Sequence, residues 1–137
     1  GAGMSVAVMV CDGTTAGGRS LAIELTFPTE VITVRELIRE RVYQEVQDFS
    51  RPKVEGTGVF RGLVQPSESE IALNGYRVKP GKQVDWKEQF EKACQAYSQN
   101  RVLVLVGDRQ TESLDETIHL TRGMEVTFLK LVLLVGG

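Results

Sequence analysis

The sequence has a single histidine, His119, and two cysteines, Cys11 and Cys94, which lie far apart and belong to no C-x-x-C pair. No Cys/His metal constellation can be written from that set. The two thiols read as packed small hydrophobes, and a reducing, cytoplasmic compartment is the expectation. Charge of one sign is also scarce. The net charge is −2 and no basic stripe occurs, so neither nucleic acid nor a basic membrane-surface helix is expected. No apolar run approaches a membrane span, the run Leu131 to Val135 included. No signal peptide is read after Met4, because Ser5 to Val10 is short, lacks a positive start and soon meets Asp12-Gly13. Gly1-Ala2-Gly3 reads as an expression scar. No internal repeat is visible.

Catalytic motifs are lacking too. Gly75-Tyr76-Arg77-Val78-Lys79-Pro80-Gly81-Lys82-Gln83 is one residue too long for a phosphate-binding P-loop, and Gln83 stands where a Ser or Thr would bind magnesium. Gly56-Thr57-Gly58-Val59-Phe60-Arg61-Gly62 misses the dinucleotide fingerprint by one residue and follows no strand. His119 has no partner for a triad and reads as structural or solvent-facing. Glu68, Glu70, Asp115 and Glu116 read as solvated charges, and Trp86 as a helix anchor. No general acid/base pair can be placed. The chain reads as something other than an enzyme.

What is present is a periodic pattern. Val6, Val8 and Val10 share one face of a strand, and Asp12 to Gly18 reads as a turn. Leu21, Ile23, Leu25 and Phe27 alternate in a second strand, making a hairpin that Pro28 ends. Thr33-Val34-Arg35-Glu36 has capping-box spacing. The helix it opens puts Val34, Leu37, Ile38, Val42, Val46 and Phe49 on one face, and Glu36, Arg39, Glu40, Arg41, Glu45 and Gln47 on the other. Residues from about 51 to 84, punctuated by Gly and Pro, predict loops with short strands or turns. A second helix starts near Asp85, with Trp86, Phe90, Cys94 and Tyr97 in its apolar stripe. Arg101 to Val106 is a strand with two apolar faces, suited to a central position. A last strand runs from Val126 to about Leu133, into Leu134-Val135-Gly136-Gly137.

The order is hairpin, helix, insertion with a second helix, strand, loop and last strand. It predicts an α+β fold in which the first and last strands meet in parallel and the helix crosses one face. That is a β-grasp mixed sheet, formed by a single domain over 4–137 with an insertion at about 50–100 and an extended tail over 131–137. The closing glycines add a chemical expectation. Without β-carbons they can thread a narrow slit in another protein, and no side chain shields the carboxylate of Gly137.

The block Val6 to Phe49 and the block Val102 to Gly107, Leu114 to Thr117, Gly123 to Phe128 and Gly136-Gly137 together resemble the ubiquitin-like β-grasp superfamily. Gly123-Met124-Glu125-Val126-Thr127-Phe128-Leu129 is similar to the small sulfur carriers of molybdopterin and thiamine synthesis. The chain departs from both in its insertion, and in a tail that lacks the arginines of ubiquitin and the prolines usual in the sulfur carriers. The resemblance implies that an E1-like enzyme uses ATP to adenylate Gly137, with Gly136 beside it in the slit. Leu131, Val132, Leu133, Leu134 and Val135 are then the stretch that the enzyme reads, as an added strand. It also implies an E2-like enzyme, a deconjugating protease and target proteins as partners, with no cofactor resident in the chain. Three products stay open: an amide on a target protein, a C-terminal thiocarboxylate as in a sulfur carrier, or no covalent product, the domain acting as a non-covalent adaptor.

Overall fold

The computed structural model describes residues 5–14, 23–50, 59–72, 75–79 and 83–131. The alternation of Val6, Val8 and Val10 forms strand β1 (Val6–Thr14), with Val8 and Val10 buried. The strand runs straight through Asp12-Gly13, where the composition predicted a turn. Asp12 and Gly13 are in register with Phe128 and Leu129 of the last strand, and this distant partner overrides a local turn preference. Strand β2 (Ile23–Phe27) lies antiparallel to β1, with Leu25 opposite Val8 and Phe27 opposite Val6. Leu21 lies outside the described residues.

A short strand β3 (Val31–Thr33) leads into helix α1 (Val34–Ser50). Thr33 caps it: its hydroxyl accepts from the Glu36 amide at 3.1 Å and donates to the Glu36 carboxylate at 3.3 Å. The amides of Val34 and Arg35 donate to the carbonyls of Glu116 and Leu114, so a distant loop satisfies two of the helix's orphan donors.

The insertion carries short strands, as expected between its glycines and prolines. Strands β4 (Val59–Phe60), β5 (Ser69–Ala72) and β6 (Gly75–Val78) form an antiparallel sheet in the order β4-β6-β5. Gly75 makes the close approach possible. It has φ +154°, and a β-carbon there would sit 2.5 Å from the carbonyl oxygen of Phe60 on the paired strand. Gly75→Ala therefore has to push β6 away from β4, and we expect a loss of about 1–3 kcal/mol in chemical denaturation. Unchanged stability would mean that the two strands have room to part. Helix α2 (Trp86–Ser98) follows, its N-terminus capped by Asp85, whose carboxylate accepts from the Lys87 amide.

The chain returns to the main sheet with β7 (Val102–Val106) and β8 (Arg109–Gln110). Then β9 (Thr117–His119) pairs with β3, and β10 (Glu125–Lys130) closes the sheet. The strand order is β2-β1-β10-β7-β8, with β1 and β10 parallel and every other neighbouring pair antiparallel. The architecture is α+β: a five-stranded mixed sheet, two helices packed on each other, and two smaller sheets. Among the described residues no helix is long and apolar enough to cross a membrane.

Two hydrophobic clusters hold these parts together. The larger joins Val8, Val10, Leu25, Val104, Val126 and Phe128 of the sheet to Val34, Leu37, Ile38 and Val42 of α1, and to Ala93, Ala96 and Tyr97 of α2. The smaller joins Val46 to Phe60, Val78 and Val84, with Phe49, Tyr76 and Trp86 packed against it. Trp86 is thus a packing residue, edge-on to Tyr43. His119 is exposed on β9.

Candidate functional site

Strand β10 decides where the tail leaves the domain. Its last paired residue, Lys130, is in register with Thr14 on one side and Val102 on the other. One step further, the Leu131 amide donates to the carbonyl of Arg101 at 2.9 Å. The backbone is therefore fixed as far as Leu131, whose side chain is 41% exposed. Of the expected site residues, Leu131 alone is described; Val132, Leu133, Leu134, Val135, Gly136 and Gly137 lie outside the described residues.

The root of the tail stands beside a buried ionic cluster that the helical pattern was expected to leave on the surface. Arg41 is 3% exposed. Its two terminal nitrogens fork onto the Asp12 carboxylate, its Nε donates to Glu45 Oε1, and its guanidinium lies 4.9 Å from the centre of the Phe128 ring. Glu45 is 6% exposed, and its Oε2 has no hydrogen-bond partner. Lys130 reaches into the same region on the core face and donates from Nζ to the carbonyl of Gly62 at 2.7 Å.

The expectation that Arg41 and Glu45 belong to the solvent face of α1 is therefore corrected. Positions 34, 37, 38, 41, 42, 45, 46 and 49 form one unbroken series at helical spacing. A sorting by polarity removes 41 and 45 from the buried stripe, whereas the spacing alone includes them.

Burial acts on Glu45 and Lys130 in opposite directions. It pushes the Glu45 carboxyl above the usual carboxylate range. Arg41 and Lys130 work against that rise, and the neighbouring Asp12 charge adds to it. Burial holds Lys130 below the usual lysine range, with Asp12 and Glu45 opposing and Arg41 assisting. Tyr76, on β6, is raised by burial and then by the charge of Glu45.

A polar cleft of about 540 Å³ opens beside the first turn of α1, with Arg35, Tyr97, Gln110, Thr111 and Asp115 among its lining residues. Its groups are already engaged. Arg35 pairs with Asp115, and Thr111 donates to the Val104 carbonyl while bonded to the Tyr97 hydroxyl at 2.8 Å. Asp115 and Glu116, read from the sequence as solvated charges, are ion-paired with Arg35 and Arg109, and the Asp115 side chain is 80% exposed. Cys94 is raised by burial, as expected for a packed thiol. Leu131, the described residue of the tail, does not line this cleft.

No protein-family model matches this chain, and no curated protein is a significant match to it.

Proposed function

We propose that the chain is a β-grasp protein modifier of the ubiquitin-like kind, activated at the Gly137 carboxylate and joined to amines on target proteins. The observation that carries this reading is the parallel pairing of β1 with β10 at the centre of a β2-β1-β10-β7-β8 sheet. With α1 packed against that sheet, the arrangement suits a last strand that would present a tail to another protein. The sequence that follows β10, Leu131 to Gly137, is apolar and then side-chain-free.

An E1-like enzyme would supply ATP and the slit. A carboxylate oxygen of Gly137 attacks the α-phosphorus, pyrophosphate leaves, and the acyl group becomes an adenylate. A cysteine thiol of the enzyme then attacks the acyl carbon, giving up its proton as AMP leaves. A lysine amine on a target finally displaces the thiol, directly or through an E2-like enzyme, to form an amide. A protease that hydrolyses this amide would reverse the step. The chain acts throughout as the substrate. Six residues, 132 to 137, follow the last described ladder contact at Leu131. Fully extended they span about 20 Å, which bounds the depth of slit that the carboxylate can reach.

Mass spectrometry of proteins captured with the tagged chain from its own host tests the reading. Lys130 is paired on both sides and half-buried, so digestion has to be carried out on denatured protein. Trypsin then cuts after Lys130, and an acceptor lysine carries the remnant Leu131 to Gly137, which a search for a bare diglycine would miss. Finding that remnant supports a modifier. An oxygen-to-sulfur exchange in the intact mass would instead establish the sulfur-carrier product to which Gly123 to Leu129 is similar. An unmodified carboxylate with no adducts would leave the adaptor role.

A further inference from the structure

We propose that Asp12, Arg41, Glu45 and Lys130 form a proton-sensitive latch between the main sheet and the inserted β4-β6-β5 sheet. The cluster lies at the seam of the two hydrophobic clusters. Arg41 stacks on Phe128 of the larger one, while Glu45 precedes Val46 of the smaller one. Lys130, at the end of β10, holds the carbonyl of Gly62. Gly62 lies between Phe60 of the smaller cluster and Leu63 of the larger. The last strand is thereby strapped to the insertion through one buried ammonium group.

The free oxygen of Glu45 makes this seam sensitive to protons. Arg41 spends both terminal nitrogens on Asp12 and offers Glu45 only Nε, so one carboxylate oxygen is buried with no donor. Such an oxygen is costly when charged and less so when the group is neutral. The charged and titratable groups around it are Arg41 on its own helix, Asp12 on β1, Lys130 on β10 and Tyr76 on β6. Burial dominates this balance and raises the affinity of Glu45 for its proton in the closed state.

The sign follows. A carboxyl that binds its proton more tightly when closed stabilises the closed seam at low pH. That stability is lost as pH rises from the ordinary carboxylate value to the raised one. Rising pH therefore opens the seam. Lys130 is held low by burial and acts with the opposite sign on the alkaline side, so the informative range is between about pH 5 and pH 8.

Amide hydrogen exchange of the intact chain across that range tests the latch. After correction for intrinsic base catalysis, exchange over β4 and β6 is expected to accelerate by up to about tenfold per pH unit, the slope of a single deprotonation, while β1 and β10 stay protected. In Glu45→Gln the slope is expected to vanish. In Lys130→Met, which removes a cation favouring the Glu45 carboxylate, the acceleration is expected to continue to higher pH. A wild-type profile that is flat, a slope that survives in Glu45→Gln, or an acceleration shared equally by β1 and β10 would each overturn the proposal. If Glu45→Gln does not fold, the wild-type slope and the displacement in Lys130→Met decide the matter.

Discussion

Arg41→Met is expected to lower the stability of the domain by about 3–5 kcal/mol, the usual loss when one member of a buried ionic group is removed. The methionine replaces the aliphatic stem against Phe128 and leaves little cavity. The loss comes from what remains: Asp12 and Glu45, both acceptors to Arg41, would face each other with only the more distant influence of Lys130 to oppose their charge. Two buried like charges are costly in a medium where a carboxylate cannot be hydrated. Urea denaturation measures the change. The triple variant Asp12→Leu/Arg41→Met/Glu45→Leu provides the contrast, because a buried ionic group replaced as a whole by apolar residues is often neutral or stabilising. A single variant as stable as the wild type would show that the guanidinium contributes only packing.

Removing Gly136 and Gly137 is expected to abolish every covalent adduct while leaving the domain as stable as before. Both halves follow from where the ladder ends. The Leu131 amide makes the last described backbone hydrogen bond of β10, to Arg101, and no described contact reaches beyond it. No described core residue lies beyond Phe128, so the thermal midpoint is expected to stay within experimental scatter, and a larger shift would contradict that account. The adducts depend on those residues alone. The new terminus, Val135, would bring a β-branched side chain to a carbonyl that has to enter a narrow slit, and its carboxylate would fall about 7 Å short of the position Gly137 reaches. Adducts that persist after the deletion would sink the modifier reading.

The fold was legible where local patterning and tertiary pairing agree. Val6, Val8 and Val10, the alternating β2, the Thr33 cap and the double-faced β7 all follow from spacing, and the order of elements anticipates the parallel β1–β10 pair. It was illegible where a distant partner decides. Asp12-Gly13 has turn composition yet lies in strand β1, because Phe128 and Leu129 are in register with it. Strand β3 pairs with β9 across more than eighty residues of chain, and neither is long enough to show a period. The three strands of the insertion are two to four residues each; the sequence indicates short strands there, but not their bounds or their pairing.

The candidate site divides in the same way. Gly136, Gly137 and the apolar stretch before them are read from the sequence because their chemistry needs no partner within the domain. The ionic cluster needs four residues from three elements. Arg41 and Glu45 were misplaced because charge is a good guide to exposure except where charges neutralise one another.

The parallel pairing of β1 with β10 has a further consequence, for synthesis. Met9 is in register with Glu125 and Thr14 with Lys130, so the central rung of the sheet joins segments that leave the ribosome nearly a whole domain apart. Until β10 has been made, the β1 edge of the β1–β2 ribbon lacks its partner, and a hairpin alone is at best marginally stable. Valines destined for the core stay uncovered for most of translation. The nascent chain is thus a natural client for holding chaperones, and folding is expected to await completion of the last strand.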